Sequence, residues 1–488
     1  MSSEHVDVLV VGAGISGISA AHHLQTQCPD KSFLILEGRD SIGGTWDLFK
    51  YPGIRSDSDM YTLGFSFRPW RDPKAIADGP SIMSYLRSAV EDDGLHDKIR
   101  FGRKVVKALW SSQEAHWELT VLNTRSQQEE TLTCGFVHMC TGYYNYEQGH
   151  RPAFPGEKNF KGPVIHPQFW PEDLDYENKK IIVIGSGATA VTLVPAMAEK
   201  AAKVTMLQRS PTYIVSMPAE NALANWARRN LPAKLAYGLT RWRNVLFSRL
   251  MFWYCRRFPE RAKKLLLKGV RAELPSGFDI EKHLTPHYNV WDQRVCLAPD
   301  GDFFTALRAG KADIVTDHIE SFTKRGVKVA SGAEIEADII VSATGLDLQF
   351  FGGVDIQVDN KAVLAKDTMT YKGMMFSGVP NFALSSGYTN ASWTLKCDLT
   401  SAYVCRLLNH MDRKGYTQAR PELDWADMEV APLLDFTSGY VVRKLEELPK
   451  QGTVTPWRLH QNYLLDIMML RMGRVTDGMA FSGTQKSA

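Results

Sequence analysis

One supersecondary pattern occurs twice in this 488-residue chain, about 170 residues apart. The first copy reads VDVLVVGAGISGISAAHHL from Val6 and SFLILEG from Ser32, and the second reads KIIVIGSGATAVTLVPAMA from Lys180 and KVTMLQRS from Lys203. Each copy is a branched apolar run, a glycine turn, an amphipathic stretch and a second apolar run, which is typical of a covered parallel sheet. The repeat therefore predicts an α/β fold with two Rossmann-like dinucleotide-binding domains rather than one large sheet.

The first glycine turn has the features of a phosphate site. Gly12 allows the tight turn, Gly14 lets a pyrophosphate approach the backbone, and Gly17 lets helix and strand pack closely. Glu37 ends the second strand, where a carboxylate accepts hydrogen bonds from a ribose diol. An acid at this place suits an unphosphorylated ribose, as in FAD or NAD.

The second glycine turn keeps the spacing, with Gly185 and Gly187 followed by Ala190 at the third position. Thr189 lies in the opening turn of the helix that follows. The second strand of this copy ends in Arg209, whose guanidinium would pair with a ribose 2′-phosphate. The alternative for Arg209 is an ordinary solvated surface arginine. We predict FAD at the first site and NADPH at the second, as in a flavoprotein reduced by NADPH.

Composition and charge argue against several other classes of protein. The 57 Lys and Arg residues against 54 Asp and Glu leave a net charge of +3, which does not indicate nucleic acid as a partner. No apolar run is long enough to span a bilayer, and the amino terminus has no secretory signal pattern. The seven cysteines contain no CxxC, which argues against disulfide scaffolds and zinc sites. We predict a cytoplasmic chain without a metal site.

The order of the patterns predicts a first domain that is interrupted by the second. Residues 1–148 form the first part of the FAD-binding domain, and residues 149–334 form the NADPH-binding domain with a helical insertion near 220–280. Residues 335–488 return to the FAD-binding domain and complete the C-terminal region. The apolar run ADIIVSATGLD, Ala337 to Asp347, is predicted to be the last strand of the first domain.

A longer motif adds a resemblance to a known family. The segment FKGPVIHPQFWP fits FxGxxxHxxxWP, with Phe160, Gly162, His166 and Trp170 at its defined positions. This motif is similar to the fingerprint of class B flavin-dependent monooxygenases of the Baeyer–Villiger type. The blocks GGTW at 43–46 and YPGIRSD at 51–57 look like the flavin-side loop of that family. The blocks HYNVWDQR at 287–294, DFF at 302–304 and YTNASWTLK at 388–396 resemble its ethionamide-activating subgroup.

The resemblance implies an NADPH- and O2-dependent enzyme that converts small apolar ketones to esters or lactones through a peroxyflavin. It also implies oxygenation of sulfides or thioamides. It places Arg294 near the flavin to hold a peroxide anion, and Asp57 beside Arg294 and the nicotinamide. It assigns Gly44, Thr45 and Trp46 to a loop on the flavin side. The alternative for Arg294 is a structural ion pair with Asp292 or another acid, and from the residues alone Asp57 is a turn residue.

Other candidate residues keep two interpretations each. His166 stands between prolines in a Pro/Gly-rich stretch, residues 143–171, that predicts an interdomain linker, so we expect a hinge rather than acid–base chemistry. Trp46 and Trp393 could wall the flavin pocket or belong to the core. Nine basic residues against one acid between 241 and 268 predict a basic amphipathic helix, either in peripheral membrane contact or packed with solvated charges.

Three alternative functions remain at this point. A flavin monooxygenase that acts mainly on nitrogen or sulfur shares both cofactor sites. A disulfide reductase also shares two such domains, but it needs a reactive cysteine pair, and Cys134 and Cys140 are poorly spaced for one. A non-catalytic cofactor-binding sensor is the third. Substrate size, regioselectivity and oligomeric state have no readable sequence signal.

Overall fold

The computed structural model describes residues 4–434 and 442–483. The elements up to residue 150 are β1 Glu4–Val11, α1 Ile15–Gln27, β2 Phe33–Leu36, α2 Thr45–Leu48, α3 Met60–Leu63, α4 Gly79–Asp92, β3 Ile99–Arg100, β4 Arg103–Ser111, β5 His116–Asn123, β6 Glu129–Met139 and β7 Tyr144–Gly149. Those from 150 to 345 are β8 Val164–Ile165, β9 Lys180–Ile184, α5 Ala188–Ala198, β10 Lys203–Gln208, β11 Ile214–Met217, α6 Ala222–Asn230, α7 Ala233–Arg257, α8 Pro259–Glu273, α9 Ile280–Leu284, β12 Cys296–Pro299, α10 Asp302–Arg308, β13 Ala312–Thr316, β14 Ile319–Phe322, β15 Gly326–Val329, β16 Glu334–Glu336 and β17 Ile339–Ser342. The remaining elements are β18 Leu346–Leu348, β19 Asp355–Val358, β20 Lys361–Ala362, β21 Thr370–Tyr371, β22 Met375–Phe376, β23 Phe382–Leu384, α11 Trp393–Lys414, β24 Gln418–Pro421, β25 Val430–Pro432, β26 Lys450–Gly452, α12 Tyr463–Ile467 and β27 Met479–Ser482.

The first glycine turn belongs to a nine-stranded sheet. Its order is β20-β19-β4-β5-β6-β1-β2-β3, with β23 also paired to β6. The central strand β1 runs parallel to β2 and β6, and residues 8–11 of β1 are buried because layers cover both faces. Strands β19, β20 and β23 come from beyond residue 350. The prediction of an α/β fold with a discontinuous first unit is therefore confirmed.

The second glycine turn belongs to a five-stranded parallel sheet of order β13-β10-β9-β17-β8. Strand β17 pairs in parallel with β9, from Ile339 opposite Ile181 to Ser342 opposite Ile184. The prediction that the run from Ala337 is the last strand of the first domain is therefore wrong. A buried apolar run shows that a strand is covered on both faces, but not which sheet receives it. The three domain ranges themselves stay a prediction.

Two segments join the sheets side by side. Strands β7 and β18 pair antiparallel, with Leu346 opposite Gly149 and Leu348 opposite Tyr144. The stretch 143–171, predicted to be a linker, therefore contains an ordered ribbon, and its β8 is an edge strand of the second sheet. The chain passes between the two sheets through β7 and again through β18. Because these two strands are hydrogen-bonded to each other, the ribbon limits how the two sheets can move relative to each other.

The helical insertion packs between the two sheet units. Helix α7 packs against α3 of the first unit, and α8 packs against β11 beside the second. The single amphipathic helix predicted over 241–268 is instead two helices, which meet at Phe258 where Pro259 opens α8. In the described part of the chain, none of the helices has the length and apolarity needed to cross a membrane.

Candidate functional site

The first glycine turn has the geometry that its sequence predicts. Gly12 has φ +104°, and a Cβ there would lie 2.7 Å from the carbonyl oxygen of Cys140. A Cβ on Gly17 would lie 1.9 Å from the Gly12 oxygen, so helix α1 can pack this close only with glycine. Gly14 is the N-cap of α1, and no side chain caps that helix. The first-turn N–H groups are therefore suited to a phosphate.

Glu37 lies beside this turn with both carboxylate oxygens engaged. One oxygen accepts from the Ala13 N–H at 2.8 Å, and the other accepts from the Arg39 N–H at 2.9 Å. Burial raises the pKa of the Glu37 carboxyl, and these two N–H groups oppose that effect. The carboxylate sits at the end of β2, where a ribose of a dinucleotide on this turn would lie.

The second glycine turn repeats the arrangement at α5. Gly185 has φ +136°, and a Cβ there would lie 2.3 Å from the Ala343 oxygen. Gly187 is the N-cap of α5, and a Cβ there would meet open space, which leaves room for a phosphate. Thr189 hydrogen-bonds the hydroxyl of Tyr51, whose pKa burial raises to about 12. Arg209 is exposed directly after β10.

A cavity of about 1100 Å³ lies between the two turns. That volume lies just above the range for drug-sized ligand pockets, ~300–1,000 Å³. The predicted site residues that line it are Gly14, Gly44, Thr45, Trp46, Asp57, Thr189 and Arg294. The predicted residues that do not line it are Gly12, Gly17, Glu37, Gly185, Gly187, Arg209, Phe160, Gly162, His166 and Trp170.

The wall next to the first turn is formed by a glycine loop and tyrosines. Gly44 has φ +55°, and a Cβ there would lie 3.2 Å from the hydroxyl of Tyr146. Tyr146 hydrogen-bonds Thr45, and burial raises its pKa. Tyr143 stacks on Trp393 at 5.0 Å between ring centroids. The sequence assigned both tyrosines to a linker, and only their position after a Thr-Gly turn hinted at a site.

Arg294 and Asp57 meet inside the cavity. The Arg294 Nη1 donates to the Asp57 Oδ2 at 2.5 Å, across 237 residues of chain. Their side chains are 36% and 41% exposed, so solvent reaches the pair. Asp292, the acid considered for a structural pair with Arg294, pairs with Arg256 at 2.7 Å. The structure thus brings together the two predicted catalytic residues, with a permanent positive charge facing the cavity.

A second ion pair holds the loop that carries Asp57. Arg55 pairs with Asp302 at the start of α10, and its Nη2 donates to the Leu297 carbonyl at 3.2 Å. The loop of the first unit is thereby fastened to the second unit. Sequence analysis did not select Arg55, although the YPGIRSD block contained it.

His166 lies at the crossing of the two connecting segments and not in the cavity. Its Nδ1 accepts from the Gln168 N–H at 3.2 Å, so its Nε2 carries the proton and donates to the Gly345 carbonyl at 3.1 Å. A Cβ on Gly149 would lie 2.2 Å from the ring. Burial lowers the pKa of His166. The His166 ring therefore joins the two segments, and its role as a hinge stays a prediction.

The other fingerprint residues pack near the same junction. Phe160 is buried in the core beneath β9 and β17. Gly162 is required because a Cβ there would lie 2.1 Å from the Asp338 oxygen. Trp170 is partly buried against the core around α5. These contacts are structural ones.

A buried network supports the cavity wall formed by the block at 388–396. Lys396 pairs with Asp466 at 2.9 Å, and both side chains are almost fully buried. The Tyr388 hydroxyl donates to the same Asp466 oxygen at 2.6 Å, and burial, followed by that carboxylate, raises the pKa of Tyr388. Tyr388 lines the cavity. The network therefore fixes this wall from behind.

The cysteines do not form a redox pair. All seven are free thiols with buried side chains. Burial raises the pKa of both Cys134 and Cys140, which disfavours the reactive thiolate that a disulfide reductase requires. Among the described residues, no cluster of three or more His, Cys, Asp or Glu side chains could hold a metal ion.

Known proteins resemble this chain over nearly its full length. The family model for flavin-binding monooxygenase-like proteins matches residues 5–226. The FAD-containing monooxygenase EthA of Mycobacterium tuberculosis is 55% identical over 482 residues, covering 98% of each chain. A steroid monooxygenase structure bound to NADP matches with a TM-score of 0.78 and 22% identity, covering 98% of this chain and 99% of that one.

A second solved structure shows the same fold. Cyclohexanone monooxygenase from Rhodococcus sp. Phi1, bound to NADP+, matches with a TM-score of 0.74 and 20% identity, covering 99% of this chain and 100% of that one. The resemblance drawn from the motifs is confirmed. With 55% identity over almost the whole of both chains, the protein belongs to the family of FAD-containing monooxygenases that includes EthA.

Proposed function

We propose that this chain is an NADPH- and O2-dependent FAD monooxygenase that converts apolar ketones to esters or lactones, which is Baeyer–Villiger chemistry. We propose that the same enzyme also oxygenates sulfides or thioamides. The observation that carries the proposal is the Arg294–Asp57 pair in a cavity that is lined by Gly14 of the first turn and by Thr189 after the second. EthA is an FAD-containing monooxygenase, and the steroid monooxygenase and cyclohexanone monooxygenase structures are bound to NADP.

The residues around the first turn fit FAD. The uncapped N-terminus of α1 at Gly14 would hold the pyrophosphate, and Glu37 would accept from the ribose hydroxyls. The lining residues Gly44, Thr45 and Trp46 would contact the isoalloxazine side.

The residues around the second turn fit NADPH. The N-terminus of α5 at Gly187 faces open space, as a pyrophosphate site requires. Arg209, exposed at the end of β10, would pair with the 2′-phosphate. Thr189 lines the cavity and would border the nicotinamide half.

Bound FAD, once reduced by NADPH, supplies dioxygen activation. Per turnover, one ketone, one dioxygen, one NADPH and one proton give one ester, one NADP+ and one water. Arg294 contributes a guanidinium that stays protonated at any working pH, so it stabilises negative charge that develops on oxygen in the cavity. Asp57 holds that guanidinium in place through the 2.5 Å hydrogen bond.

A permanent cation next to the reacting oxygen favours ketones over heteroatoms. Attack on a carbonyl carbon leaves negative charge on oxygen, whereas transfer of oxygen to sulfur requires a protonated, electrophilic oxygen donor. Arg294 stabilises the negative charge that forms when a carbonyl carbon is attacked, and it gives no comparable advantage to the transfer of oxygen to sulfur.

One observation favours the second candidate, a monooxygenase that acts mainly on nitrogen or sulfur. Asp57 neutralises Arg294 at close range, and both groups reach solvent, so the field at the reacting oxygen is weaker than that of a lone buried arginine.

We further propose a cytoplasmic enzyme that contacts a membrane peripherally through the segment 241–268. The seven free thiols suit a reducing compartment. The exposed basic residues of the segment, Arg256, Arg257, Arg261, Lys264 and Lys268, suit an anionic surface.

A single incubation tests the oxygenation. Purified holoenzyme receives NADPH, heavy-isotope dioxygen, one linear ketone and one aryl sulfide, and product masses are measured. Labelled ester supports the proposal, and labelled sulfoxide alone supports the heteroatom candidate. NADPH consumption that yields only hydrogen peroxide with both substrates would contradict both.

A further inference from the structure

Helix α7 exposes an apolar stripe to solvent along most of its length. The stripe consists of the side chains of Leu235, Leu239, Trp242, Leu246, Leu250 and Trp253, each 46–58% exposed. Their three- and four-residue spacing places them on one face of the helix. The helix has 25 residues and is therefore about 37 Å long.

The opposite face of α7 is fixed to the protein, so the stripe cannot turn inward. Buried Arg241 donates to the carbonyls of Tyr61 and Gly64, at 2.8 Å each, and lies 3.8 Å from Asp398. The Tyr237 hydroxyl donates to the Phe65 carbonyl at 2.9 Å. Arg241 is thus an anchor of the helix and not part of the basic surface predicted from the sequence.

The neighbouring helices extend the apolar surface. Leu223 and Trp226 of α6 are each 56% exposed, and Leu265 of α8 is half exposed. Both α6 and α8 pack against α7. We call the α7 stripe together with these three residues the insertion face. Exposed apolar residues concentrated on three adjoining helices mark a binding surface.

Charge identifies the partner of the insertion face. Besides the buried Arg241, residues 241–268 contain eight basic residues and one acid, and Arg228, Arg229 and Lys234 add three positive charges on α6 and at the start of α7. On α8, exposed Lys264 and Lys268 flank Leu265. A second copy of this face would bring positive charge against positive charge. An anionic lipid surface is complementary, and exposed tryptophans suit its interface.

The cavity borders the insertion face. Leu223 and Phe247 both line the cavity and are 56% exposed, so they lie at its opening. Arg249, which lies between two stripe leucines, also lines it. An apolar molecule dissolved in a surface touching the insertion face would reach the cavity without crossing water.

We propose that the insertion face docks on an anionic membrane, with α7 lying in the interface plane, and that long apolar substrates enter the cavity from the lipid. Docking is independent of the catalysed reaction. The delivery of substrate rests on the ketone oxygenation proposed for this cavity.

Vesicle flotation of the holoenzyme tests the docking. The vesicles are phosphatidylcholine alone or with about one third phosphatidylglycerol. The triple variant Leu239→Gln, Leu246→Gln, Leu250→Gln replaces stripe residues outside the cavity, and we expect its binding to anionic vesicles to fall about tenfold or more. Raising salt from about 0.1 M to about 1 M should also weaken binding of the unaltered chain.

Two controls separate this surface from general effects. Leu364→Gln with Val454→Gln changes equally exposed apolar residues elsewhere, and binding should not change. Lys264→Glu with Lys268→Glu should weaken binding to anionic vesicles and leave the apolar stripe intact. Failure of the unaltered chain to float with anionic vesicles would overturn the proposal. So would a dimer in sedimentation velocity that the triple variant abolishes, because a second copy would then cover the face.

Turnover tests the delivery. With a long-chain ketone dissolved in anionic vesicles, the triple variant should lose most of its turnover, while a short water-soluble ketone should be converted at the unaltered rate. Equal turnover of the vesicle-dissolved ketone by both proteins would overturn delivery. If neither protein converts any ketone, the proposed function fails and the flotation result still stands.

Discussion

Replacing Arg294 tests the chemistry most directly. Arg294→Ala removes one guanidinium from a cavity that Arg55, Arg243 and Arg249 also line, and it leaves the Asp57 carboxylate without this partner. Removing one donor from a site that stabilises an oxyanion costs roughly 10²–10³-fold in turnover, about 2.7–4 kcal/mol. Because the pair is 36% and 41% exposed, water replaces part of the lost interaction. We therefore expect the lower end, about a 100-fold loss of ester formation.

The assay separates the chemical step from cofactor binding. Ester formation and NADPH oxidation are measured in the same reaction at saturating ketone and NADPH. Flavin content and NADPH oxidation should persist in Arg294→Ala, with hydrogen peroxide in place of ester. Sulfide oxygenation, which needs no oxyanion stabilisation, should fall less than about threefold.

Two further variants make the result specific. Asp57→Asn combined with Arg294→Ala should recover part of the loss, because the stranded negative charge is removed. Arg271→Ala breaks an exposed ion pair with Glu281 away from the cavity and should leave ester formation unchanged. Ester formation by Arg294→Ala within about threefold of the unaltered enzyme would refute the assigned role.

Four other predictions follow from particular contacts. Arg209→Ala should raise the KM for NADPH by about 10–100-fold and leave the KM for NADH nearly unchanged, since only the 2′-phosphate is affected; equal changes in steady-state kinetics would count against it. Gly17→Ala should abolish flavin retention, measured by absorbance of the purified protein, because its Cβ would lie 1.9 Å from a carbonyl oxygen, whereas Gly269→Ala meets open space and should retain flavin. Burial lowers the pKa of His138 to about 3, whereas this imidazole in the unfolded chain takes up a proton near pH 6.5. As the pH falls from 6.5 to 3, this difference should lower the free energy of unfolding by about 1.4 kcal/mol per pH unit. If the urea midpoint of His138→Gln decreased as steeply on acidification as that of the unaltered chain, this prediction would be contradicted. Arg241→Met should lower the free energy of unfolding by about 3–5 kcal/mol, because a buried carboxylate loses its cation, and unchanged urea midpoints would disprove the anchoring role.

The amino-acid sequence alone determined the two nucleotide-binding units and the family. Both glycine turns are local, because a turn, a helix N-terminus and the ends of two strands lie within about 30 residues. The contact that requires glycine at position 17 is with the Gly12 oxygen and lies inside that span, so the spacing alone predicts it. Gly12 and Gly185 instead contact Cys140 and Ala343, which are distant in the sequence. The fingerprint around His166 is equally local and pointed to the correct family.

Only the tertiary structure decided which distant segments meet. A buried apolar run has the same composition in either sheet, so strand β17 could be assigned only from its pairing with β9. Arg294 and Asp57 are 237 residues apart, and no local period connects them. For α7, the sequence predicted an amphipathic helix but not the direction in which its apolar residues point. The buried contacts of Arg241 turn that stripe toward solvent, because burying the guanidinium beside Asp398 fixes the rotation of the helix.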